Sequence, residues 1–244
     1  MKKVRNTIYL IGLSIVMMTM HSMAGDNTPE GENKKGDWKW LFKKSSTEAW
    51  HGVSSDEFPD QGWKVENGVL TVLGKTDERS GGQSIVTHDQ FGNFELQLEV
   101  KLSKGANSGI KYLVTDQFPG HEGDFLGLEY QLLDNENYKY AKDMPENHAM
   151  GSLFDLIAPP EDIKTKPYGK WNKVKIIVDG TQVEHWLNGK KLLEYNRMGD
   201  AFEALVKTSK YKDLKKFGQL DKGHILLQGH GQEASFRKIK IREW

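Results

Sequence analysis

The chain of 244 residues contains no cysteine. That absence removes disulfide staples, thiol nucleophiles and Cys-ligated zinc together. A domain of about 200 residues buries enough surface to stand without cross-links. Neither charge is in excess, with 34 basic and 34 acidic residues. Several motifs are also missing: a Gly-x-Ser-x-Gly elbow, a His-Glu-x-x-His helix, a phosphate loop and an EF-hand. There is no internal repeat and no low-complexity tract. Long apolar runs are lacking too, since Ile8 to Met20 is short for a bilayer span.

That short run has the anatomy of an export signal. Lys2, Lys3 and Arg5 precede it, and Ser22-Met23-Ala24 offers small residues for cleavage. The reading is a removed signal over 1–24, a polar leader over 25–37, and one domain over 38–244. The destination is the periplasm or beyond, with no lipobox cysteine to anchor the chain. Taking Lys2, Lys3 and Arg5 from the 34 basic residues leaves 31 against 34 acidic. This balance argues against a nucleic-acid partner. Oligomeric state is left open.

From Trp38 the pattern is that of an all-β protein. Phe94 to Leu102 alternates apolar and polar residues, and Val174 to Val178 runs apolar into Asp179-Gly180. Asn67-Gly68 and Asn188-Gly189 sit between such runs, a hairpin signal with a mechanism. About a dozen short strands with Gly-rich turns predict a two-sheet antiparallel jelly-roll sandwich. Only 201–216 breaks the period: Phe202, Leu205, Val206 and Leu214 predict a short amphipathic helix.

Polar side chains stand where strand cores usually carry Val, Ile or Leu. In Phe125-Leu-Gly-Leu-Glu-Tyr-Gln131, Glu129 and Gln131 share one face. A carboxylate inside such a run wants a partner. Asn107 and Lys111 share a face of the preceding segment, His185 lies between Val183 and Leu187, and Gln228-Gly229-His230 repeats the spacing. Several strands presenting such groups to one face predict a polar cleft of sugar size. His148 and Asp155 flank a long loop that could cover it. A lone histidine among apolar neighbours is more often a core residue than a catalyst, and Asp155 can equally cap a turn. Glu129-x-Gln131-x-x-Asp134 matches the Glu-x-Asp-x-x-Glu of laminarinase-like glycosidases at one of three places. The amide at 131 cannot serve as nucleophile or acid, which speaks against a carboxylate-pair mechanism.

Five segments together carry a family resemblance: Gly105-Ala-Asn-Ser-Gly-Ile-Lys-Tyr112, Gly127-Leu-Glu-Tyr-Gln-Leu-Leu-Asp134, Ser152-Leu-Phe-Asp-Leu-Ile-Ala-Pro159, Val183-Glu-His-Trp-Leu-Asn-Gly189 and Ile225-Leu-Leu-Gln-Gly-His-Gly231. In that order they resemble the 3-keto-disaccharide hydrolase family of exported bacterial proteins. The resemblance implies a concanavalin-like jelly roll with a site on its concave face. It also implies action on glycosides carrying a ketone at C3. Such a ketone acidifies the C2 proton, so one base, one enolate stabiliser and one proton donor suffice.

The roles expected on this basis are Glu129 or His185 as base, Lys111 on the ketone oxygen and His230 as donor to the leaving group. Gln131, Asn107 and Gln228, with Asp134, His148 and Asp155 around them, would hold the substrate. No cofactor or metal is expected: a sandwich can carry structural calcium, yet no dense Asp or Asn cluster argues for one. The competing readings are a non-catalytic, lectin-like carbohydrate-binding module and an exported adhesion domain.

Overall fold

The computed structural model describes residues 35–78 and 80–244. The expected signal over 1–24 and most of the 25–37 leader lie outside the described residues. In chain order the strands are β1 (Lys39–Phe42), β2 (Trp50–Gly52), β3 (Trp63–Glu66), β4 (Val69–Val72), β5 (Ile85–Thr87), β6 (Phe94–Leu102), β7 (Asn107–Thr115), β8 (Leu126–Leu133), β9 (Asn172–Asp179), β10 (Gln182–Leu187) and β11 (Lys190–Asn196). Helix α1 (Asp200–Lys207) follows, then β12 (His224–Leu227) and β13 (Ala234–Glu243).

They form two antiparallel sheets, a two-sheet jelly-roll sandwich as the alternation predicts. One has eight strands, ordered β11-β10-β9-β6-β13-β4-β3 with β1 also on β13; the other has five, ordered β2-β5-β12-β7-β8. Asn67 and Gly68, and likewise Asn188 and Gly189, both take positive φ, closing β3–β4 and β10–β11 as tight hairpins. The core lies between the sheets. Leu96, Leu98 and Val100 of β6 meet Ile110 and Tyr112 of β7 and Leu128, Tyr130 and Leu132 of β8 there. Because strand side chains alternate, Lys111, Glu129 and Gln131 face away from that core.

Helix α1 is half the length that the apolar spacing predicts. It ends where hydroxyl side chains compete for the backbone. Thr208 Oγ1 donates to the Leu205 carbonyl (3.0 Å) and Ser209 Oγ to that of Val206 (2.8 Å). Residues 208–217 continue as turns. Arg197 fastens this region: its guanidinium donates to the carbonyls of Gly218 (2.8 Å), Leu220 (3.0 Å) and Gly180 (2.9 Å).

Candidate active site on the outer face of the five-stranded sheet

Register places Lys111 of β7 directly opposite Glu129 of β8, and Gly109 opposite Gln131. Residues opposite each other in an antiparallel pair share a face. Glu129 is only 3 % exposed. Its carboxylate lies over Gly109: a Cβ there would come within 2.4 Å of Oε1. Glycine at 109 is thus the residue that leaves room for the acid.

The amide of Gln131 supplies a hydrogen bond. Turned so that its NH2 faces the carboxylate, it donates to Glu129 Oε1 (3.2 Å) and to the Ser108 carbonyl (3.2 Å). Its oxygen then faces the Asn107 amide at 3.2 Å. Asn107, Gln131 and Glu129 therefore form one contiguous polar strip.

Burial raises the pKa of Glu129 above the ordinary carboxylate value, because removing water penalises the charged form. Positive charge opposes that shift, from Lys111 first, then Lys210, with His230 and His148 adding to it when protonated. None of them makes an ion pair in contact with the carboxylate among the described residues. The Lys111 ammonium instead donates to the Phe125 carbonyl (3.4 Å). The result is a desolvated carboxylate in a field of positive charge.

The long loop does fold beside this strip. Phe154 N–H donates to the Glu129 carbonyl (3.0 Å), Gln131 N–H to that of Ser152 (3.2 Å), and Gly151 N–H to that of Gln131 (2.9 Å). Residues 151–154 so extend the sheet beyond β8. Ser152 Oγ, fully buried on this extension, has no hydrogen-bond partner among the described residues. His148 stacks on Phe154 with ring centroids 4.2 Å apart, and its Nε2 is 2.9 Å from Asp155 Oδ1. Asp155 takes φ of 64°, and its other oxygen accepts the Lys210 backbone N–H (2.7 Å). This contact sets Lys210 beside the hollow, its ammonium 4.2 Å from the Phe154 ring centre. Crowding by protein lowers the pKa of Lys210, while Glu129 and Asp155 hold it up.

Two expected members lie elsewhere. His185 belongs to the core between the sheets and is 0 % exposed. Its Nδ1–H donates to the Gly151 carbonyl (3.1 Å), so Nε2 accepts the Tyr112 hydroxyl (2.8 Å). Tyr112 in turn bonds to Tyr195. Burial lowers the pKa of His185 to about 4, only partly offset by the bond to Gly151. An imidazole sealed in this way cannot reach a substrate on the outer face.

Asp134 is a turn residue at the end of β8. Its carboxylate accepts from Gly105 N–H (2.8 Å) and from Asn137 Nδ2 (3.1 Å). Gln228 lies beside Gly109, its N–H donating to the Gly109 carbonyl (2.9 Å). Gly229 makes room for backbone: a Cβ there would meet the Gly82 carbonyl oxygen at 2.0 Å. His230 is exposed just beyond. Sequence reasoning passed over Lys210, Phe154 and Gly109; for Gly109 the signal was a glycine inside a strand.

Known structures with this architecture define the class. Two crystal structures of Parabacteroides distasonis proteins proposed to be glycosyl hydrolases superpose with TM-scores of 0.73 and 0.66. They are 26 % and 28 % identical, cover 85 % and 86 % of this chain, and are themselves covered over 94 % and 100 % of their length. A Bacteroides thetaiotaomicron protein named 3-keto-disaccharide hydrolase is 33 % identical over 225 residues, 83 % of this chain and 77 % of the relative. The chain is an all-β jelly-roll enzyme of the glycosidase class. A family model described as a 3-keto-alpha-glucoside-1,2-lyase-like domain matches residues 37–242, and the chain belongs to that family.

Proposed function

We propose that this chain cleaves the glycosidic bond of 3-keto-glycosides by abstraction of the C2 proton, with Glu129 as the base. The observation that carries the proposal is a buried carboxylate on the outer face, raised in pKa by desolvation, with Lys111 and Lys210 acting on it at a distance and no ion pair in contact among the described residues. A base of this kind gains proton affinity from its surroundings and keeps a lone pair free. The nearby carboxylate of Asp155 is committed to His148 and the Lys210 N–H. An ordinary glycosidase pair is therefore not the arrangement that these residues favour.

The steps balance simply. Glu129 takes the C2 proton, and the electrons of the broken C–H bond form an enolate whose oxygen is the former C3 ketone. Lys111, with Lys210 across the hollow, stabilises that negative charge. The enolate reforms the ketone as the C1–O bond breaks, leaving a C1=C2 double bond. His230 gives a proton to the departing alkoxide. Release at this point is a lyase outcome; addition of water across C1=C2 makes the same reaction a net hydrolysis. Asn107, Gln131 and Gln228 hold substrate hydroxyls. Export to the periplasm or exterior, inferred from Lys2 to Ala24, would bring the enzyme to such sugars.

The decisive experiment incubates the purified protein with a panel of 3-keto-glucosides in D2O and follows products by mass and NMR. A hydrolysed product carrying solvent deuterium at C2, or an unsaturated product that has lost the C2 hydrogen, is expected. Cleavage of unoxidised glucosides at a comparable rate, or a hydrolysed product that keeps its original C2 hydrogen, overturns the proposal.

A further inference from the structure

The outer face of the eight-stranded sheet carries a second feature, on the opposite side of the sandwich from Glu129. Register aligns one residue from each of five neighbouring strands there. Trp40 of β1 pairs with Lys240 of β13, Lys240 with Gln97 of β6, Gln97 with Lys175 of β9, and Lys175 with Trp186 of β10. The row reads Trp-Lys-Gln-Lys-Trp across the strands. It lines a groove of about 390 Å³, within the range of small-ligand sites.

Backbone irregularities converge on this row. The β1–β13 register shifts between Trp40 and Phe42, the β13–β6 register between Arg237 and Lys240, and the β10–β11 register between His185 and Trp186. Lys238, inside the second of these, takes φ of 54°, uncommon for a residue with a side chain. Bulges of this kind re-aim side chains and collect beside functional surfaces.

The charge of the groove is also one-sided. Glu99 at its floor is neutralised by Arg237 and Lys238. Lys175 and Lys240 have no acidic partner in contact among the described residues. Their ammoniums rest over Trp186 (3.7 Å) and Trp38 (4.1 Å). Two unpaired cations separated by one strand lie roughly 10 Å apart by sheet spacing. Exposed Trp40 at one end, half-buried Trp186 at the other, an amide in the middle and spaced cations between suit a ribbon of sugar rings bearing regular negative charge. The chain as a whole has no cationic excess, so this positive stripe is local.

We infer that this groove binds an acidic polysaccharide, with uronate carboxylates on Lys175 and Lys240 and sugar faces on Trp40 and Trp186. The site is independent of the chemistry at Glu129 and would hold the enzyme on an acidic glycan while the other face works.

Affinity electrophoresis and calorimetry with polygalacturonate, neutral dextran, dextran sulfate, duplex DNA and phosphatidylglycerol vesicles test this. Binding to polygalacturonate is expected, with at least tenfold weaker binding to each other probe. W186A and the double variant K175A/K240A should each lose at least tenfold in affinity for polygalacturonate, with turnover of a 3-keto-glucoside within twofold of wild type. Failure to bind polygalacturonate, or wild-type binding by the lysine double variant, overturns the inference. Equal binding to DNA or vesicles overturns the carbohydrate assignment, equal binding to dextran sulfate overturns the uronate assignment, and equal binding to dextran overturns the role of charge. Should W186A fail to fold, the lysine double variant decides, because it alters only outward-facing ammoniums.

Discussion

Glu129 and His185 are equally hidden from water, yet their surroundings ask opposite things of them. His185 lies between the sheets with both ring nitrogens in hydrogen bonds, to the Gly151 carbonyl and the Tyr112 hydroxyl. Desolvation drives it towards the neutral form, and the neutral form is fully satisfied. Glu129 lies on the outer face, with one amide donor and a set of cations held at a distance. Desolvation raises its proton affinity, and among the described residues no cation touches it. Burial alone therefore does not mark a working group; burial with an incomplete set of partners does.

The largest expected effect separates the two directly. E129Q should reduce turnover of a 3-keto-glucoside by about 10³-fold, within the usual range for loss of a general base. It should not lower stability at neutral pH, because it removes a charge whose folded pKa is raised. That raised pKa favours the folded state at low pH, an advantage lost as pH rises through the folded value. Steady-state kinetics with thermal melts at pH 7 check both parts, and wild-type turnover would remove Glu129 from the chemistry.

His185 should show in stability instead. Its folded pKa is lowered from 6.5 to about 4, so its contribution is present above pH 6.5 and lost as pH falls towards 4. The span corresponds to roughly 3 kcal/mol. Urea unfolding of the wild type at pH 7 and pH 4, beside H185Q, measures it. The variant should be less stable at pH 7, lack this component of the acid dependence, and keep turnover per folded molecule within a few-fold.

G109A should displace the carboxylate without altering any ionisable group. Turnover should fall by about 10- to 100-fold, as expected for a misplaced catalytic group. Overpacking should cost about 1–3 kcal/mol. Unchanged kinetics would show that the carboxylate position is not critical. The smallest effect should follow K210M, a loss of roughly tenfold in turnover, in keeping with one removed electrostatic stabiliser. Lys210 holds the pKa of Glu129 down, so its removal should move the acid limb of the kcat/KM profile to higher pH. A profile that stays in place would exclude Lys210 from the field at Glu129.

Much of this could be read along the chain. Asn67-Gly68 and Asn188-Gly189 marked their hairpins because a tight two-residue turn needs positive φ at both positions. The period of two put Glu129 and Gln131 on one face because alternation is a property of a single strand. The same rule misdirected the reading at His185. Period tells which residues share a face, not which face meets the core. The flanking Val183 and Leu187, both buried, were the available clue. Lys210 gave no periodic signal at all, since it lies in turns beyond a helix that hydroxyl groups cut short.

Sequence by itself determined the strands, their turns and the absence of thiol, metalloprotease and serine-elbow chemistry, because each of these depends on residues close together in the chain. Tertiary structure alone decided which polar groups meet. The contacts that bring Lys210 to Asp155, seat Glu129 over Gly109 and seal His185 beneath Tyr112 join residues 20 to 73 positions apart. Strand pairing within a sheet, loop docking and the packing of the two sheets specify such distances.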